Sequence, residues 1–336
     1  MKVRCISIVL VVHLFFIHCS AQEILFPIEE KGKYGFINKS GKIMIAPQFD
    51  FAEPFSEELA AVSIAGKRGF IDQSGKIVIA LQYEKITSFS EGYASGKKNG
   101  KWFYFDKTGK ITITPTCDYA YKFSEGLARL QIGNKMGFID KAGNIVIKPE
   151  FNGAYDFSEG LARVKNGDRW GYIDKTAKVV IEFLFQDCFD FTEEYANVCL
   201  GNEINGKWGF IDKIGKIVIP ARFNRAWPFS EGMALIREGD FKNGKYGYIN
   251  KAGEILIAPT FSGGDYFKEG LACISSGPDT KNASFQFIDK KGEIVIRKKF
   301  EYLATFKNGL AKVSSSDIKP GYSFGYIDKT GRYLWP

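Results

Sequence analysis

The chain has 336 residues, of which 25% are charged and 15% aromatic, and its formal net charge at pH 7 is +8. Such mild basicity over this length is typical of a soluble surface and argues against a dedicated nucleic-acid groove, which would cluster the charge on one face. Only two histidines occur, His13 and His18.

The N-terminus has the features of a secretion signal, predicted to span residues 1–21. Lys2 and Arg4 precede an apolar run over residues 5–17, and small residues lead to Ala21. The run is shorter than the roughly 20 apolar residues that cross a bilayer, and bulky His18 argues against acylation of the cysteine after it. We expect cleavage after Ala21, no transmembrane segment, and a secreted or cell-envelope protein, in the periplasm, at the outer surface or outside the cell.

Cleavage there removes both histidines and lowers the formal net charge from +8 to +6. A chain without histidine cannot use Ser-His-Asp or Cys-His catalysis, His-ligated metals or a histidine pH switch. Four cysteines remain, Cys117, Cys188, Cys199 and Cys273, and their spacings match no metal motif. We expect buried thiols, no disulfide between Cys199 and Cys273, no metal site and no cofactor.

One unit then recurs nine times, and residues 22–336 form a single predicted repeat domain. The copies are aligned on a position that is usually glycine: Gly35, Gly69, Phe103, Gly137, Gly171, Gly209, Gly247, Gln286 and Gly325. An Asp or Asn follows three residues later, and a glycine three residues after that in all copies except at Ala177. This is the chemistry of a β-hairpin turn. The predicted copies are residues 33–66, 67–100, 101–134, 135–168, 169–206, 207–244, 245–283, 284–322 and 323–336.

Two further strands are predicted in each copy. The strand after the hairpin turn, such as Ile43–Ile45, has three apolar residues in a row, which predicts a central strand covered on both sides. A phenylalanine follows 20 residues after the reference position, and an alanine in the third strand five residues later, as at Phe157 and Ala162. This fixed pair of large and small residues predicts that each phenylalanine fills the gap beside the alanine of a neighbouring unit.

The unit resembles the bacterial WG-repeat family, also called KWG repeats. Lys207–Asp212 (KWGFID) and Phe229–Ala234 (FSEGMA) carry the two halves of that signature, and the resemblance covers residues 33–336. Departures at Arg68, Phe103, Met136 and Gln286 put an equal role of all copies in doubt. The resemblance implies an exported β-repeat protein that binds partners, and it supplies no catalytic residues.

The predicted fold class is all-β, a tandem array of three-stranded units that bury their faces by stacking. An open solenoid is favoured over a closed propeller-like ring, because propellers typically have about 4 to 8 four-stranded blades. Residues 24–28 lie where the third strand of a preceding copy would be, and the ninth copy lacks that strand. Pairing of the two is the alternative that would close a ring.

The length differences between copies all follow the third strand, in copies five to eight. Long loops along one rim are a common place for recognition. The candidate binding residues there are Asn202, Glu203, Asn205, Asp240, Phe241, Lys242, Asp279, Lys281, Asp317 and Lys319. The leading hypothesis is a non-catalytic binding or scaffolding protein for a protein or polysaccharide partner, with nucleic acid disfavoured.

Two alternatives remain open. Lysines at the hairpin tips would line up as a basic ridge for an anionic polymer such as glycan, lipopolysaccharide or nucleic acid, or would only provide solubility; they are Lys39, Lys107, Lys141, Lys175, Lys213, Lys251, Lys290 and Lys329. A row of glutamates before the third strand is expected elsewhere. A carbohydrate-active hydrolase would need carboxylates that break the repeat, such as Glu182, Asp187 or Glu203.

Four aromatic residues recur two positions before the fixed phenylalanine: Tyr121, Tyr155, Phe189 and Trp227. Such a ladder could stack sugars or bases. Residues two apart in a strand share a face, so we expect the ladder to point inward with the phenylalanines. The tryptophans beside the reference glycine are likewise expected to pack rather than to bind.

Overall fold

Each copy folds into strands, as its β-branched and aromatic residues and Asx–Gly turns indicate. The computed structural model describes residues 23–201, 206–240, 242–276, 284–302, 304–314, 318 and 322–336. Within these ranges the chain forms 35 strands in nine antiparallel sheets and no α-helix. Each sheet is a meander of consecutive strands, and we call the sheets blades 1 to 9.

Blade 1 contains β1 (Leu25–Glu30), β2 (Lys33–Asn38) and β3 (Ile43–Phe49). Blade 2 contains β4 (Phe51–Ala52), β5 (Ala60–Ile64), β6 (Lys67–Ile71) and β7 (Ile77–Tyr83). Blade 3 contains β8 (Lys85–Ile86), β9 (Tyr93–Lys98), β10 (Lys101–Asp106) and β11 (Ile111–Ile113). Blade 4 contains β12 (Tyr119–Ser124), β13 (Leu127–Ile132), β14 (Lys135–Asp140) and β15 (Ile145–Phe151). Blade 5 contains β16 (Gly153–Ala154), β17 (Ala162–Asn166), β18 (Arg169–Ile173) and β19 (Val179–Phe185). Blade 6 contains β20 (Asp187–Cys188), β21 (Ala196–Leu200), β22 (Lys207–Ile211) and β23 (Ile217–Phe223). Blade 7 contains β24 (Arg225–Ser230), β25 (Met233–Glu238), β26 (Lys245–Asn250) and β27 (Ile255–Phe261). Blade 8 contains β28 (Gly263–Gly264), β29 (Ala272–Ser276), β30 (Ser284–Ile288) and β31 (Ile294–Phe300). Blade 9 contains β32 (Phe306–Lys307), β33 (Leu310–Val313), β34 (Gly325–Asp328) and β35 (Tyr333–Trp335).

Blades 2 to 9 have four strands, and the described part of blade 1 has three. The repeat is out of phase with the blades. The copy at 135–168, for example, supplies the third and fourth strands of blade 4 (β14 and β15) and the first and second strands of blade 5 (β16 and β17). The expectation of three-stranded units is therefore wrong. The short first strand, often only two residues of regular ladder, is too brief to be recognised from a sequence pattern.

The hydrophobic core lies between the blades. Nine clusters of buried residues occur among the described residues, one for each pair of adjacent blades. In the cluster between blades 4 and 5, Phe138 of β14 packs against Phe157 and Ala162, with the two phenylalanine ring centroids 4.9 Å apart. All three residues belong to one sequence copy. The phenylalanine and alanine thus face each other within one hairpin, not across neighbouring copies as expected, and their shared neighbour is the aromatic ring of the preceding blade.

The array closes into a ring. In the turn between the third and fourth strands, every blade except blade 5, which has Ala177, carries a glycine that packs on the fourth strand of the preceding blade: an ideal Cβ on Gly75 would lie 3.2 Å from Ile45, and one on Gly41 would meet the backbone of Leu334 in the last blade. The cluster formed by Phe26, Tyr326 and their neighbours joins blade 9 to blade 1. The structure is a nine-bladed β-propeller, so the open solenoid is wrong: every interface repeats one rotation, and nine rotations bring the chain back to its first blade.

Closure does not exchange a strand between the ends of the chain. β1 pairs with β2 of its own blade, and blade 9 completes its sheet with β32 to β35. Blades 9 and 1 instead meet through side chains. One such contact is the Tyr326 hydroxyl, which donates a hydrogen bond to the Pro27 carbonyl at 2.9 Å.

The strand expected at the centre of each unit is at the outer edge of each blade. In β3, Ile43 is 46% exposed and Met44 is 42% exposed, whereas Ile45 is 3% exposed and packs in the interface with blade 2. A register irregularity between β2 and β3 occurs at this point. The apolar run therefore does not mark a strand covered on both faces; only one of its three side chains is buried.

Replacing Phe157 with alanine should lower the free energy of unfolding by about 3–5 kcal/mol, because the ring is buried against Phe138 and leaves a cavity. Urea denaturation followed by tryptophan fluorescence measures the change. The matched control is Ile214→Ala, since Ile214 is 79% exposed. Equal effects of the two substitutions would contradict the inter-blade core.

Candidate binding site

One face of the ring is held together by a repeated turn. Ser124, Glu125, Gly126 and Leu127 join the first two strands of blade 4, with φ of 53° at Glu125 and 87° at Gly126. Two successive positive φ values define the type I′ hairpin turn, which matches the twist of the flanking strands. The sequence motif FSEG is therefore the turn between the first and second strands.

The glutamate of this turn links two blades. The Glu125 carboxylate accepts a hydrogen bond from the Gly160 N–H of the next blade at 3.0 Å and lies 3.1 Å from the Lys175 Nζ of that blade. Seven such ion pairs, 3.0–3.6 Å long, occur among the described residues: Glu57–Lys107, Glu91–Lys141, Glu125–Lys175, Glu159–Lys213, Glu193–Lys251, Glu231–Lys290 and Glu269–Lys329. The lysine ridge and the glutamate row are thus one structure, and the expected separation of the two is wrong.

The pKa values of these carboxyls follow from their surroundings. Burial alone would raise the pKa of Glu91, but Lys141 and the backbone N–H of Gly126 outweigh it and hold the pKa below its ordinary value. Burial likewise acts to raise the pKa of Glu231 and of Glu269, but the backbone N–H groups and the lysine of the next blade outweigh it, so the pKa of each carboxyl lies below its ordinary value. These groups stay ionised at neutral pH, and their charge cancels most of the charge of the lysine ridge.

The aromatic ladder does not share the phenylalanine sites. Phe123 and Phe157 are buried, whereas Tyr121 is only partly buried and Tyr155 is 40% exposed. The pairing of β12 with β13 has an irregularity between Ala120 and Phe123. Such a bulge breaks the alternation of faces, which is why the inward orientation expected for the ladder is wrong.

Arginines cover the faces of these rings. The Arg163 guanidinium lies 3.4 Å from the ring centroid of Tyr155, and Arg129 lies 4.1 Å from that of Tyr121. Each arginine also binds an aspartate of the next blade: Arg129 Nε to Asp156 at 2.6 Å and Arg163 Nε to Asp190 at 2.7 Å. Burial raises the pKa of Asp190, an effect that Arg163 partly offsets. With their faces occupied, the rings connect blades 4 to 6 and leave little stacking surface for a sugar or base.

The opposite face carries turns of two kinds, between the second and third strands. In blades 1 to 5 the strands are joined by two residues, as at Ala65 and Gly66. In blades 6 to 9 the connections are residues 201–206, 239–244, 277–283 and 314–324. The longer loops are therefore on one half of the face that lies away from the Glu–Lys pairs.

Two of the ten predicted binding residues lie in described positions. Asp240 and Lys242 are exposed in the loop of blade 7. Asp240 Oδ1 accepts hydrogen bonds from the N–H groups of Lys242 and Asn243, so this carboxylate also shapes its own loop. The other eight, Asn202, Glu203, Asn205, Phe241, Asp279, Lys281, Asp317 and Lys319, lie outside the described residues.

The cysteines are not suited to nucleophilic chemistry. Cys188, Cys199 and Cys273 are buried and Cys117 is partly buried. Burial raises the pKa of Cys188 and of Cys273 to about 12, so both thiols are protonated at neutral pH. Within the described ranges, no group of His, Cys, Asp and Glu side chains is arranged to hold a metal ion. No helix in that part of the chain could span a membrane.

A ring of nine tandem blades, with Glu–Lys ion pairs between blades on one face and loops of variable length on the other, defines a repeat β-propeller. The chain belongs to the family described as WG containing repeat, whose model matches residues 34–67, 69–102, 102–135, 136–170, 170–203, 208–240, 246–277 and 287–316. The suspected family is thereby confirmed. No curated protein matches the chain.

Solved structures resemble the chain in fold. Dipeptidyl peptidase 4 from Porphyromonas gingivalis has 9% identity and a TM-score of 0.51, with 93% of this chain and 59% of that one covered. A eukaryotic initiation factor has 13% identity and a TM-score of 0.48 over 84% of this chain and 97% of that one. A quinonprotein alcohol dehydrogenase-like protein from Bacteroides thetaiotaomicron has 12% identity and a TM-score of 0.38, over 82% and 80% of the two chains. At such identities the likeness concerns the fold alone.

Replacing Glu91 with glutamine should lower the free energy of unfolding by about 1 kcal/mol at pH 7, because a charge-assisted contact between blades is lost. The folded pKa of Glu91 is lowered, so its stabilising effect is present above the unfolded pKa of about 4.3 and is lost as pH falls through the folded pKa. Urea denaturation at pH 7 and pH 3 should therefore give a difference between the two proteins that shrinks at pH 3. Glu182→Gln, at an exposed site, is the control; a difference independent of pH would contradict this role.

Proposed function

We propose that the chain is an exported, non-catalytic binding or scaffolding protein that holds a protein or polysaccharide partner on its loop face. The observation that carries the proposal is the restriction of long loops to four successive blades, on the face opposite the Glu–Lys pairs. Loops on a rigid scaffold can vary in length and sequence without loss of the core. Export rests on the secretion signal predicted from residues 1–21.

The alternatives receive less support. Seven of the eight hairpin-tip lysines face a carboxylate, which weakens the case for an anionic-polymer ridge. For a hydrolase, the acids that break the repeat are the natural candidates. Asp187 Oδ1 accepts the Cys188 N–H and its Oδ2 lies 3.8 Å from Arg225, an arrangement that suits a structural role better than a catalytic one.

Shortening the four long loops towards two-residue turns like those of blades 2 to 5, with Tyr322 and Phe324 kept because they pack in the core between blades 9 and 1, should abolish capture of the partner from envelope extract while the ring stays folded. The control variant, Lys178→Glu with Lys216→Glu, changes the charge of the other face and should capture as the intact chain does. Capture is measured by affinity pull-down and mass spectrometry at low and high salt. Equal capture by the loop-shortened and intact chains would remove the loop face as the site.

A further inference from the structure

The described part of blade 1 has an open inner edge. β1 pairs with β2 on one side, whereas the equivalent strand of each other blade also pairs with an inner first strand. The first strands are the innermost, since they contact each other between blades: the Ser124 hydroxyl donates to the Phe157 carbonyl of the next blade at 2.8 Å. Among the residues that the structure describes, β1 thus has no strand paired with its inner edge.

A groove lies along this edge. It has a volume of about 470 Å³, lies between blades 9, 1 and 2, and is lined by apolar and charged side chains that include Phe26, Phe51, Phe55, Leu310, Lys312 and Tyr326. We call it the seam groove. An apolar groove beside an open strand edge fits an extended peptide that adds a strand to the sheet.

The other blades show what such a strand contacts. In blade 4, the first strand places Tyr119 opposite Gln131, Ala120 opposite Leu130, Phe123 opposite Ala128 and Ser124 opposite Leu127. The two strand pairings β13–β14 and β1–β2 align Gln131, Leu130, Ala128 and Leu127 with Glu29, Ile28, Phe26 and Leu25. A strand in the seam groove would therefore run past these four residues of β1.

One position differs in size. Where the other blades have alanine, blade 1 has Phe26, whose ring meets Tyr326 at 5.5 Å. In the equivalent cluster of blades 4 and 5, Phe157 fills this space and Ala162 leaves room for it. Phe26 thus already occupies the space of the missing phenylalanine. The entering strand must carry a small residue at the position where the other blades carry phenylalanine.

One position differs in charge. Lys312 of blade 9 is opposite Tyr326, as Arg129 is opposite Phe138 and Arg163 opposite Tyr172. The two arginines bind Asp156 and Asp190, each two residues after the short first strand of the next blade. The next blade after Lys312 is blade 1, so an acidic residue at the fourth position of the entering strand would complete this pattern.

Pro27 is compatible with such pairing. It removes one N–H from the centre of the open edge, but the equivalent residue of blade 4, Arg129, lies where the pairing with β12 is irregular. In blade 5 the equivalent residue, Arg163, accepts the Tyr155 N–H with its carbonyl, a group that Pro27 keeps. Further contacts lie on either side, as in the bond from the Asp118 N–H to the Gln131 carbonyl, and the carbonyls of Glu29 and Leu25 are the equivalent acceptors in β1.

We propose that the seam groove binds an extended peptide segment of a partner protein, of the pattern basic–small apolar–any–acidic–small–Ser/Thr. The basic residue would face Glu29, the first small residue Ile28, the acidic residue Lys312 and the second small residue Phe26. The final hydroxyl would donate to the Phe55 carbonyl, as Ser56 does to that of Phe89. The proposal deepens the proposed binding function, on which it rests for the existence of a partner.

The groove does not favour this chain's own upstream residues. Residues 17–22 read IHCSAQ, which has the small residue Ala21 in register but serine at the acidic position and histidine at the small apolar position. They also fall almost wholly within the segment predicted to be removed as a signal. A partner peptide is therefore the better match.

The test is a titration of the chain that begins at Gln22 with a fluorescent peptide, Lys-Ala-Tyr-Asp-Ala-Ser, followed by anisotropy. We expect saturable binding, and about 5-fold to 150-fold weaker binding when the second alanine is phenylalanine, because overpacking against Phe26 costs about 1–3 kcal/mol. In a Phe26→Ala protein the order of the two peptides should reverse. A Lys312→Glu protein should lose affinity for the aspartate peptide and prefer one with lysine in its place.

The proposal would be overturned if the peptide does not bind. It would also be overturned if Phe26→Ala leaves the relative affinities of the alanine and phenylalanine peptides unchanged and Lys312→Glu leaves the preference for aspartate over lysine unchanged. Two other occupants are tested together with it. If a second copy of the chain occupies the groove, the protein forms a dimer without peptide. If residues 17–22 occupy it, the chain that begins at Met1 is more stable than the chain that begins at Gln22, and the latter binds no peptide. Either result would overturn the proposal that a partner peptide occupies the groove. The loop-shortened variant should bind the peptide normally, so a failure of the loop face and a failure of the groove are distinguishable.

Discussion

The ring depends on one packing contact, in which an aromatic side chain in the third strand of blades 1 to 8 packs against the phenylalanine and alanine that open the next blade. Between blades 9 and 1, Tyr326 packs against Phe26 instead. In the repeated contact the distance between the two rings is almost constant, 4.7 Å for Phe70–Phe89 and 4.9 Å for Phe287–Phe306. All members of one contact come from one sequence copy, so a copy encodes an interface between blades and not a blade. Near-identical interfaces impose near-identical rotations, and a chain of such interfaces closes by geometry without a strand shared between its ends.

Repeated hydrogen bonds and ion pairs between blades strengthen this contact on the face that carries the FSEG turns. The FSEG turn places a hydroxyl, a carboxylate and a positive-φ backbone where each reaches the next blade. A glutamate at φ near 50° is an uncommon choice for such a backbone, and the lysine and N–H that it binds explain it. On the other face the repeated contact lies within a blade: a side chain at the start of the blade accepts an N–H of that blade's turn, as Asp50 does from Ala65 and Asn224 does from Gly239 in the longer loop of blade 7. A turn can therefore lengthen while this contact is kept.

Much of this architecture could be predicted from the sequence, and the limits have physical causes. The recurring Asx–Gly pairs predict the hairpins correctly: Asp106 accepts the N–H groups of Thr108 and Lys110, and Gly109 has a φ of 83°. The first strand could not be predicted, because it contains a bulge and little regular ladder. Ring closure depends on a rotation per interface that no local pattern expresses. The sequence does contain an indication of the seam groove, because Phe26 aligns with the alanine that recurs in the other copies.

Closure is the central claim, and amine-reactive cross-linking of the intact chain tests it directly. Lys268 of blade 8 and Lys329 of blade 9 occupy the same two positions in adjacent blades as Lys307 of blade 9 and Lys39 of blade 1. All four lysines are exposed, and the Lys39 ammonium lies against Gly309. A short cross-linker applied to a mixture of isotopically light and heavy protein, with mass spectrometry of the monomer, separates intramolecular links from intermolecular ones. A closed ring predicts both the Lys268–Lys329 and the Lys39–Lys307 links within one chain. Recovery of the first link without the second would contradict the ring.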